Sequence, residues 1–338
     1  MTEVAVVILN FNGRNFLRQF LPSVIAYSAS AKIIVADNAS TDDSIAVLES
    51  EFSGSVEVIK IGSNLGFCGG YNYALKLIQS EYYVLLNSDV EVTHGWIDPI
   101  INLFKRDPSV VAAQPKILSY HQKDHFEYAG AAGGFVDTLG YPFCRGRIFN
   151  FIEKDSGQYD DTRPIFWATG ACLFIRAQVY HDSGGLDEVL FAHMEEIDLC
   201  WRLKRAGHQI YYVGESRVYH VGGGTLSKSN PRKTYLNFRN GLSLIIKHLP
   251  LASMWWKVPF RILLDWIAAG KFLLQGSPGD SWAVLKAHFD FLGGIQSDLR
   301  KRRMLTSIGY QVTNQYPRLL TFEFFLFGKK RFQDLGKF

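Results

Sequence analysis

Short apolar runs alternate with helix-like segments through the first 110 residues of this chain. The apolar runs are residues 4–9, 32–36, 56–61 and 82–86, and their lengths are typical of buried β-strands. Parallel strands need a crossover connection, usually a helix, so this alternation favours a parallel sheet covered by helices. The pattern therefore predicts an α/β fold built on a mainly parallel sheet.

Polar residues and glycines follow each of these four predicted strands. The carboxyl ends of parallel strands are where open α/β sheets bind ligands. One such cluster alone is most often a turn, because Asn, Asp and Gly are common turn residues. Their recurrence at equivalent places predicts a composite ligand site formed by Asn10, Asn12, Asp37, Asn64, Gly66, Asn87 and Asp89.

Three carboxylates lie within four positions at the start of a helix that we expect over about residues 194–206. They belong to Glu195, Glu196 and Asp198. Like charges placed together cost free energy unless a metal ion, a reaction or the positive end of a helix stabilises them. All three are catalytic candidates, although Asp198 also suits a helix N-terminus or an ion pair with Arg202 four residues later.

The segment between these two groups has a less regular pattern. Residues 119–164 are rich in glycine and aromatic residues without a clear period, which favours a lid or an acceptor-facing insert. An apolar strand pattern returns over residues 166–175 and is interrupted at Thr169 and Gly170. We expect Trp167, Thr169 and Gly170 to lie on the acceptor side of the site.

Charge divides the chain unevenly. Residues 1–227 contain 18 Lys and Arg against 26 Asp and Glu, whereas residues 228–338 contain 18 against 6. This predicts a catalytic domain over residues 1–227, with a ligand-binding half (1–110) and an acceptor-side half (111–227), followed by a helical basic region. A basic region beside an acidic domain is typical of contact with an anionic surface. Nothing in it resembles a nucleic-acid-binding module, so anionic lipid is the expected partner.

Residues 251–275 are rich in Trp, Phe, Leu and Ile but do not predict a membrane span. Lys257, Arg261 and Asp265 recur every four residues, and charges at this frequency are unfavourable in hydrocarbon. That spacing places them on one helical face, opposite an apolar face formed by Trp256, Phe260, Leu263, Leu264 and Ile267. Such a helix either lies in the plane of a membrane interface or packs on the catalytic core, and the spacing leaves both open.

The N-terminus and the cysteines bear on the compartment. The first ten residues contain an acid and no base, so they predict a first strand rather than an export signal. The four cysteines show neither a paired framework nor metal-ligand spacing, which is typical of free thiols in a reducing compartment. We therefore expect a cytoplasmic protein, peripheral on the cytoplasmic face of a membrane.

Six motifs occur in a recognisable order: VVILNFNG (6–13), DNASTD (37–42), NLGFCGGYN (64–72), NSD (87–89), TGA (169–171) and EEIDL (195–199). In this order they resemble the family 2 glycosyltransferases, and within that family the rhamnosyltransferase-like branch. The resemblance covers about residues 3–240. It implies a GT-A fold, a nucleotide-sugar donor, a divalent cation (Mg²⁺ or Mn²⁺) and inversion at the anomeric carbon.

The resemblance also implies roles for individual residues. Asp37 would contact the nucleobase, and residues 64–72 would line the nucleotide-sugar pocket. Asp89 would hold the metal ion, with His220 as a further contact of the metal or the diphosphate. Glu196 would be the general base that takes the proton of the acceptor hydroxyl.

Two further residues complete the expected donor site. Asn72 ends the pocket motif, and Arg239 would close over the diphosphate, a charge-assisted role that suits arginine. The chain departs from the family pattern in having Asn87 in place of an acid, which leaves one carboxylate, and Glu196 where Asp is common. Family likeness implies deoxythymidine diphosphate-rhamnose or a UDP-sugar as donor, and a lipid-linked cell-surface glycan as acceptor.

Two other functions are alternatives to sugar transfer. A dinucleotide-dependent oxidoreductase requires a glycine-rich fingerprint after the first strand, and residues 10–14 contain only Gly13. A catalytically inactive nucleotide-sugar or glycan-binding module stays open, although the joint presence of Asp89, Glu196 and His220 disfavours it. Metal-dependent hydrolysis of a nucleotide sugar would separate this module from an enzyme.

Overall fold

The computed structural model describes residues 2–222, 230–306 and 312–338, and thirteen strands lie among them. They are β1 (Thr2–Asn10), β2 (Ala31–Asp37), β3 (Glu57–Lys60), β4 (Ser80–Asn87), β5 (Val90–Val92), β6 (Val110–Ser119), β7 (Gly134–Val136), β8 (Pro142–Cys144), β9 (Arg147–Ile148), β10 (Phe151–Ile152), β11 (Thr162–Pro164), β12 (Cys172–Arg176) and β13 (Gln209–His220). Nine of them form one sheet in the order β11-β13-β6-β12-β4-β1-β2-β3, with β5 paired to β13.

Ten α-helices accompany these strands in the described part of the chain. They are α1 (Arg14–Tyr27), α2 (Ser44–Glu51), α3 (Gly66–Lys76), α4 (Asp98–Arg106), α5 (Ala177–Asp182), α6 (Glu195–Arg205), α7 (Pro231–His248), α8 (Leu251–Leu274), α9 (Pro278–Thr306) and α10 (Leu320–Phe325). Two 3₁₀ turns, Glu188–Leu190 and Phe332–Leu335, complete the set.

The α/β prediction is confirmed. Strands β3, β2, β1 and β4 run parallel to their neighbours, β6 and β13 are also parallel, and antiparallel β12 joins the two groups. The register aligns Asn10 with Asp37 across β1 and β2, and Leu9 with Asn87 across β1 and β4. The polar ends of these strands therefore meet at one edge of the sheet.

The starts of α2 and α3 adjoin the strand-end loops. Helix α2 begins at Ser44 without a side-chain cap, and the nearby Ser40 bonds instead to Asp37 and Asn10 at the strand ends. Helix α3 begins at Gly66. Its first amides, of Phe67 and Cys68, both donate to Phe191 O, so a distant carbonyl satisfies the helix N-terminus.

The segment predicted to be irregular contains a second, antiparallel sheet of β7, β8, β9 and β10. These strands are only two or three residues long, which is too short for a period-2 pattern to be visible in the sequence. Asp137 closes the first hairpin, since its Oδ1 accepts from the amides of Leu139 and Tyr141. Its Oδ2 accepts from Leu320 N, which ties this small sheet to the C-terminal segment.

The hydrophobic core continues into residues 230–338. Phe291, Tyr316, Leu320, Phe332 and Leu335 are buried in the same cluster as residues of the central sheet. The predicted domain boundary after residue 227 falls within residues 223–229, which lie outside the described residues. Residues from both sides of this boundary belong to one hydrophobic core. None of the helices in the described ranges combines the length and apolarity that crossing a bilayer requires.

Candidate active site

The ends of β1 and β2 are joined by side-chain hydrogen bonds. Asn10 Nδ2 donates to Asp37 Oδ1 at 2.9 Å, and Ser40 Oγ donates to the same oxygen at 2.6 Å. Asn12, at φ 53°, accepts at its Oδ1 from Thr41 N at 2.7 Å. The structure thus brings together Asn10, Asn12 and Asp37, and the Asp37 carboxylate is oriented by three donors before any ligand binds.

The loop before α3 is held against β2. Asn38 Nδ2 donates to Asn64 Oδ1 and to Gly66 O, both at 3.0 Å, and Asn64 Oδ1 also accepts from Gly66 N at 2.9 Å. Gly66 has φ +70°, and a Cβ there would lie 2.6 Å from the Phe191 ring. Glycine is therefore required at position 66 both by backbone conformation and by the close approach of the loop preceding α6.

Asn72, expected at the donor, is instead committed to a structural role. Its Oδ1 accepts from Tyr180 Oη and Leu186 N, and its Nδ2 donates to Leu186 O and Glu188. The side chain is buried and makes four hydrogen bonds, so no donor or acceptor capacity remains for a nucleotide sugar. The assignment of Asn72 as a donor-binding residue is corrected accordingly.

His220 lies between two buried carboxylates. Its Nε2 is 3.1 Å from Asp89 Oδ1 and 3.5 Å from Asn87 Nδ2, and its Nδ1 is 3.3 Å from Glu127 Oε2. Burial alone lowers the pKa of His220, but the charges of Glu127 and Asp89 outweigh it and raise the pKa to about 10. The two carboxylates thus favour the protonated form of His220 in the absence of a metal ion.

Asp89 and His220 are the residues that were expected to contact a divalent cation. Among residues 2–222, 230–306 and 312–338, no three His, Cys, Asp or Glu side chains are placed to hold a metal ion by themselves. Mg²⁺ and Mn²⁺ accept one or two carboxylates together with substrate phosphates, a donor set that Asp89 fits. His220 lies beside Asp89 and Glu127 and is protonated more readily there without a metal ion. A metal-bound histidine must be neutral, so a cation held by Asp89 would compete with this proton, and both expected roles of His220, metal ligand and diphosphate contact, stay predictions.

The loop before α6 has an unusual backbone. Phe191, His193 and Met194 all have positive φ, at 64°, 66° and 73°. Non-glycine residues rarely adopt this conformation, and its repetition immediately before the acidic cluster stores strain that the surroundings must hold. Asn240 supplies part of that support, since its Nδ2 donates to Leu190 O, Ala192 O and His193 O at 2.6–3.0 Å.

Arg239 also supports this loop. Its Nη2 donates to Val189 O at 2.9 Å and Leu190 O at 3.1 Å, and its Nε donates to the Asn240 side chain. The guanidinium is therefore held against this loop through Nε and Nη2, and the expected contact with a diphosphate stays a prediction.

Glu195 and Glu196 begin α6 behind this loop. Glu195 is buried and Glu196 is partly exposed, and one oxygen of each carboxylate has no hydrogen-bond partner among the described residues. Burial raises the pKa of both, to about 7 for Glu196, and the proximity of the two charges raises the pKa of Glu195 further. The unpaired oxygen of each is buried, and a carboxylate with a raised pKa is suited to accept a proton near neutral pH.

Asp198 does not join this pair. Its Oδ1 lies 2.5 Å from Lys247 Nζ and 2.9 Å from His248 Nε2, and its Oδ2 accepts from Arg202 Nε at 2.9 Å. Burial alone raises its pKa, but Lys247, Arg202 and His248 outweigh it and hold the pKa well below the ordinary range. Asp198 is therefore corrected from a catalytic candidate to an ion-pair residue, and the expected pairing with Arg202 is confirmed.

The expected acceptor-side residues divide into two groups. Trp167 is buried, its Nε1 donates to Phe135 O at 2.9 Å, and it packs on Gly134, so it is a core residue and not an acceptor contact. Thr169 is also buried. Gly170 lies beside the acidic pair, because a Cβ there would be 3.9 Å from Glu195 Oε1.

A continuous series of contacts connects the two halves of the site. Glu127, paired with His220, accepts from Ala129 N at 2.5 Å, and Thr169 Oγ1 donates to Ala129 O at 2.9 Å. The next amide, of Gly170, interacts with the Glu196 carboxylate and favours its charged form. The Asp89 pair and the glutamate pair are thus linked through one short stretch of backbone.

Two residues of this arrangement were not found from the sequence. Glu127 lies in the segment without a period, where no pattern distinguishes it from surface acids. The bonds of Asn240 to the loop before α6 have no sequence signature. Only the spatial proximity of β13 to the chain that follows β6 places Glu127 beside His220.

Comparison with known proteins identifies the class of protein to which this mixed sheet and its strand-end site belong. Residues 5–182, more than half of the chain, match the model of glycosyl transferase family 2, so the chain belongs to that family. It is a glycosyltransferase enzyme. It is 26% identical over 296 residues to the N-acetylglucosaminyl-diphospho-decaprenol L-rhamnosyltransferase of Mycobacterium tuberculosis, covering 81% of this chain and 92% of that protein. It is 25% identical to the rhamnosyltransferase WbbL of Escherichia coli, covering 64% and 83%.

Solved structures agree on the GT-A fold. The structure of S. aureus TarS 1-349 in complex with UDP-GlcNAc has a TM-score of 0.54 at 14% identity, covering 94% of this chain and 93% of that chain. GalNAc-T7 with UDP, GalNAc and Mn²⁺ has a TM-score of 0.58 at 15% identity, covering 92% of this chain and 58% of that chain. These likenesses establish the architecture, and with the family match they confirm the predicted rhamnosyltransferase-like GT-A fold.

Proposed function

We propose that this enzyme transfers a sugar, with rhamnose as the first candidate, from a nucleoside diphosphate to a hydroxyl of a lipid-linked glycan, with inversion at the anomeric carbon. The observation that supports it most is the contact series joining Asp89, at the strand ends, to Glu196 through Gly170. The rhamnosyltransferase relatives, one of which is named for a decaprenol-linked substrate, favour this sugar and this acceptor.

The reaction divides between the two halves of the site. The acceptor hydroxyl oxygen would form the new bond to the anomeric carbon while its proton passes to the Glu196 carboxylate. The bond from that carbon to the diphosphate oxygen would break, and the electron pair would leave with the diphosphate. His220, which lies beside Asp89 and Glu127, would contact the departing diphosphate or the cation that Asp89 would hold.

The donor and the cation are proposed on the donor side. Asp89 would hold Mg²⁺ or Mn²⁺, which, when bound, neutralises the charge that develops on the departing diphosphate. Asp37, oriented by Asn10 and Ser40, would contact the nucleobase, with deoxythymidine and uridine diphosphates as the candidates. Asn12, Asn64 and Gly66 would shape the pocket wall around the nucleotide.

Thermal stabilisation by candidate donors tests this proposal. Deoxythymidine diphosphate-rhamnose or a UDP-sugar with Mn²⁺ should raise the melting temperature, by mass action, more than the metal or the donor alone. Asp89→Asn keeps the side-chain shape but loses the charge, so it should remove the additional stabilisation by Mn²⁺. The exposed Asp290 on α9, changed to Asn, serves as the control. A metal-dependent shift retained in Asp89→Asn would contradict the metal assignment.

Turnover separates an enzyme from a binding module. The wild-type protein should release nucleoside diphosphate from the stabilising donor and transfer the sugar to a lipid-linked acceptor. Donor binding without any transfer or hydrolysis, with several acceptors present, would support the inactive module instead.

A further inference from the structure

The orientation of α8 is the reverse of a normal surface helix. Its charged face points inward: Arg261 and Asp265 are buried and paired at 2.9 Å. Tyr141 Oη donates to Asp265 at 3.0 Å, and Arg261 Nη1 donates to Leu139 O at 3.2 Å. The sequence predicted opposite charged and apolar faces correctly, but the charged face binds the small β-sheet rather than water.

The outward face of α8 is apolar for most of its length. The exposed side chains follow helical spacing, and the large apolar ones among them are Leu251, Trp255, Trp256, Leu263, Trp266, Ile267, Leu273 and Leu274. Leu274 is 91% exposed and Trp255 is 75% exposed. A soluble surface seldom leaves so many large apolar side chains on one stripe, and such a stripe marks an interaction site.

The neighbouring helices extend this apolar stripe into a surface. On α9, Trp282 and Phe289 are exposed, and Trp266 Nε1 donates to His288 Nδ1 between the two helices. On the other side, the Phe260 and Phe322 rings lie 6.3 Å apart, which places α10 with its exposed end beside α8. We call the outward apolar side chains of α8, α9 and α10 the apolar surface.

Basic side chains border the apolar surface. Lys271 Nζ lies 5.2 Å from the centroid of the Phe325 ring, and Lys257 Nζ lies 5.6 Å from that of Trp256. Lys330 is exposed just after α10. Residues 228–338 contain 18 Lys and Arg against 6 Asp and Glu. Tryptophan and phenylalanine rings bordered by lysines are typical of a helix surface lying in the interface of an anionic bilayer.

We propose that the apolar surface inserts into the interface of an anionic phospholipid membrane, with α8 parallel to the bilayer. This rests on the proposed function, because a lipid-linked acceptor is presented at such an interface. The apolar surface is connected to the loop before α6 through one helix, because α8 and α9 pack on α7, whose Asn240 holds that loop. Membrane docking would bring the enzyme to the leaflet in which a lipid-linked acceptor is anchored.

Flotation of the full-length protein with lipid vesicles tests the proposal without donor or acceptor. Ile267 on the apolar surface and Leu77 after α3 are both 61% exposed, so Ile267→Glu and Leu77→Glu form a matched pair. Wild type and Leu77→Glu should float with phosphatidylglycerol–phosphatidylethanolamine vesicles. Ile267→Glu should reduce the bound fraction roughly tenfold, because the aliphatic side chain that would be buried in the membrane is replaced by a charged one. Combining it with Trp255→Glu and Leu274→Glu should abolish flotation.

Several outcomes would overturn the proposal. Equal flotation of Ile267→Glu and Leu77→Glu would exclude insertion of this surface, and equal binding to phosphatidylcholine vesicles would exclude the anionic preference. A dimer in sedimentation velocity that Ile267→Glu converts to monomer, without flotation of wild type, would assign the surface to a second copy. Unchanged melting temperatures confirm that the variants fold, and donor-induced stabilisation tests the proposed sugar transfer independently of these results.

Discussion

At the scale of single residues, the site separates two carboxylates that the sequence places in one cluster. Glu196 is partly exposed, with a raised pKa and one unpaired oxygen, whereas Asp198, two positions later, is buried with three cationic or imidazole partners. Residues two apart on a helix point in different directions, so one acidic motif contains both the proposed base and an ion-pair residue that joins helices.

Replacing Glu196 by Gln should reduce sugar transfer about 10²–10⁴-fold, the usual contribution of a general base. Donor-induced stabilisation should be unchanged, because Glu196 acts on the acceptor proton. Initial rates of transfer measure the effect, and the exposed Glu49, changed to Gln, is the control. A larger loss in Glu195→Gln than in Glu196→Gln would move the base to position 195.

The raised pKa of Glu196 predicts opposite effects of pH on activity and stability. Transfer requires the deprotonated base, so the rate should rise with pH through about 7. In the folded protein Glu196 keeps its proton up to a pH of about 7, whereas an unfolded glutamate releases it at a pH of about 4.3. Glu196 therefore destabilises the fold as pH rises through that window. Glu196→Gln should melt at a higher temperature than wild type at pH 8 and at the same temperature below pH 4; an identical difference at both would contradict the assigned pKa.

At the scale of elements, α7 supports the strained loop that precedes the base. Three backbone carbonyls of that loop accept from one buried side-chain amide, that of Asn240. Since positive φ at Phe191, His193 and Met194 is unfavourable, the loop keeps this shape only while its partners hold it. The C-terminal region is thus structurally coupled to the loop that precedes the proposed base.

Asn240→Ala should lower kcat about 100-fold, because displacement of a catalytic group by about 1 Å has effects of this size. KM for the donor should change little, since the strand-end contacts of Asn10 and Asp37 are untouched. Steady-state kinetics with varied donor measure both constants. Asn102, exposed on α4, provides the matched control as Asn102→Ala. A fall in melting temperature with kcat unchanged would mean that Asn240 serves stability alone.

The sequence predicts some elements of this fold far better than others, for physical reasons. Helix α1 (Arg14–Tyr27) can be predicted from the sequence, because its apolar spacing matches one buried face. The strand-end site was predicted because parallel strands end at a common edge. Glu127 was not predicted because its role depends on a long-range contact with His220. The outward direction of the apolar face of α8 was not predicted because it depends on a bond between Asp265 and Tyr141, which lies in the turn between β7 and β8.

At the scale of the whole molecule, ion pairs join the C-terminal helices to the catalytic half. Lys247 on α7 bridges Asp187 and Asp198 at 2.9 Å and 2.5 Å, and Lys301 on α9 reaches Asp187 at 2.6 Å. Tyr316 and Phe332 join the core from the C-terminal segment. The two parts therefore fold as one hydrophobic unit, with buried charge pairs that fix how α6, α7 and α9 meet.

Asp198→Asn should destabilise the protein by about 3–5 kcal/mol, because it leaves the buried Lys247 without part of its counter-charge. Since the pKa of Asp198 is lowered in the fold, its contribution is fully present above the pKa of an unfolded aspartate and disappears as pH falls through the folded value. The loss should therefore be large at pH 7 and smaller in acid, as measured by urea unfolding at several pH values.

Asp290→Asn, in an exposed pair, should change stability by less than about 1 kcal/mol. Transfer per folded molecule should stay near the wild-type rate in Asp198→Asn, in contrast to Glu196→Gln, and a fully folded but inactive Asp198→Asn would return this residue to the reaction.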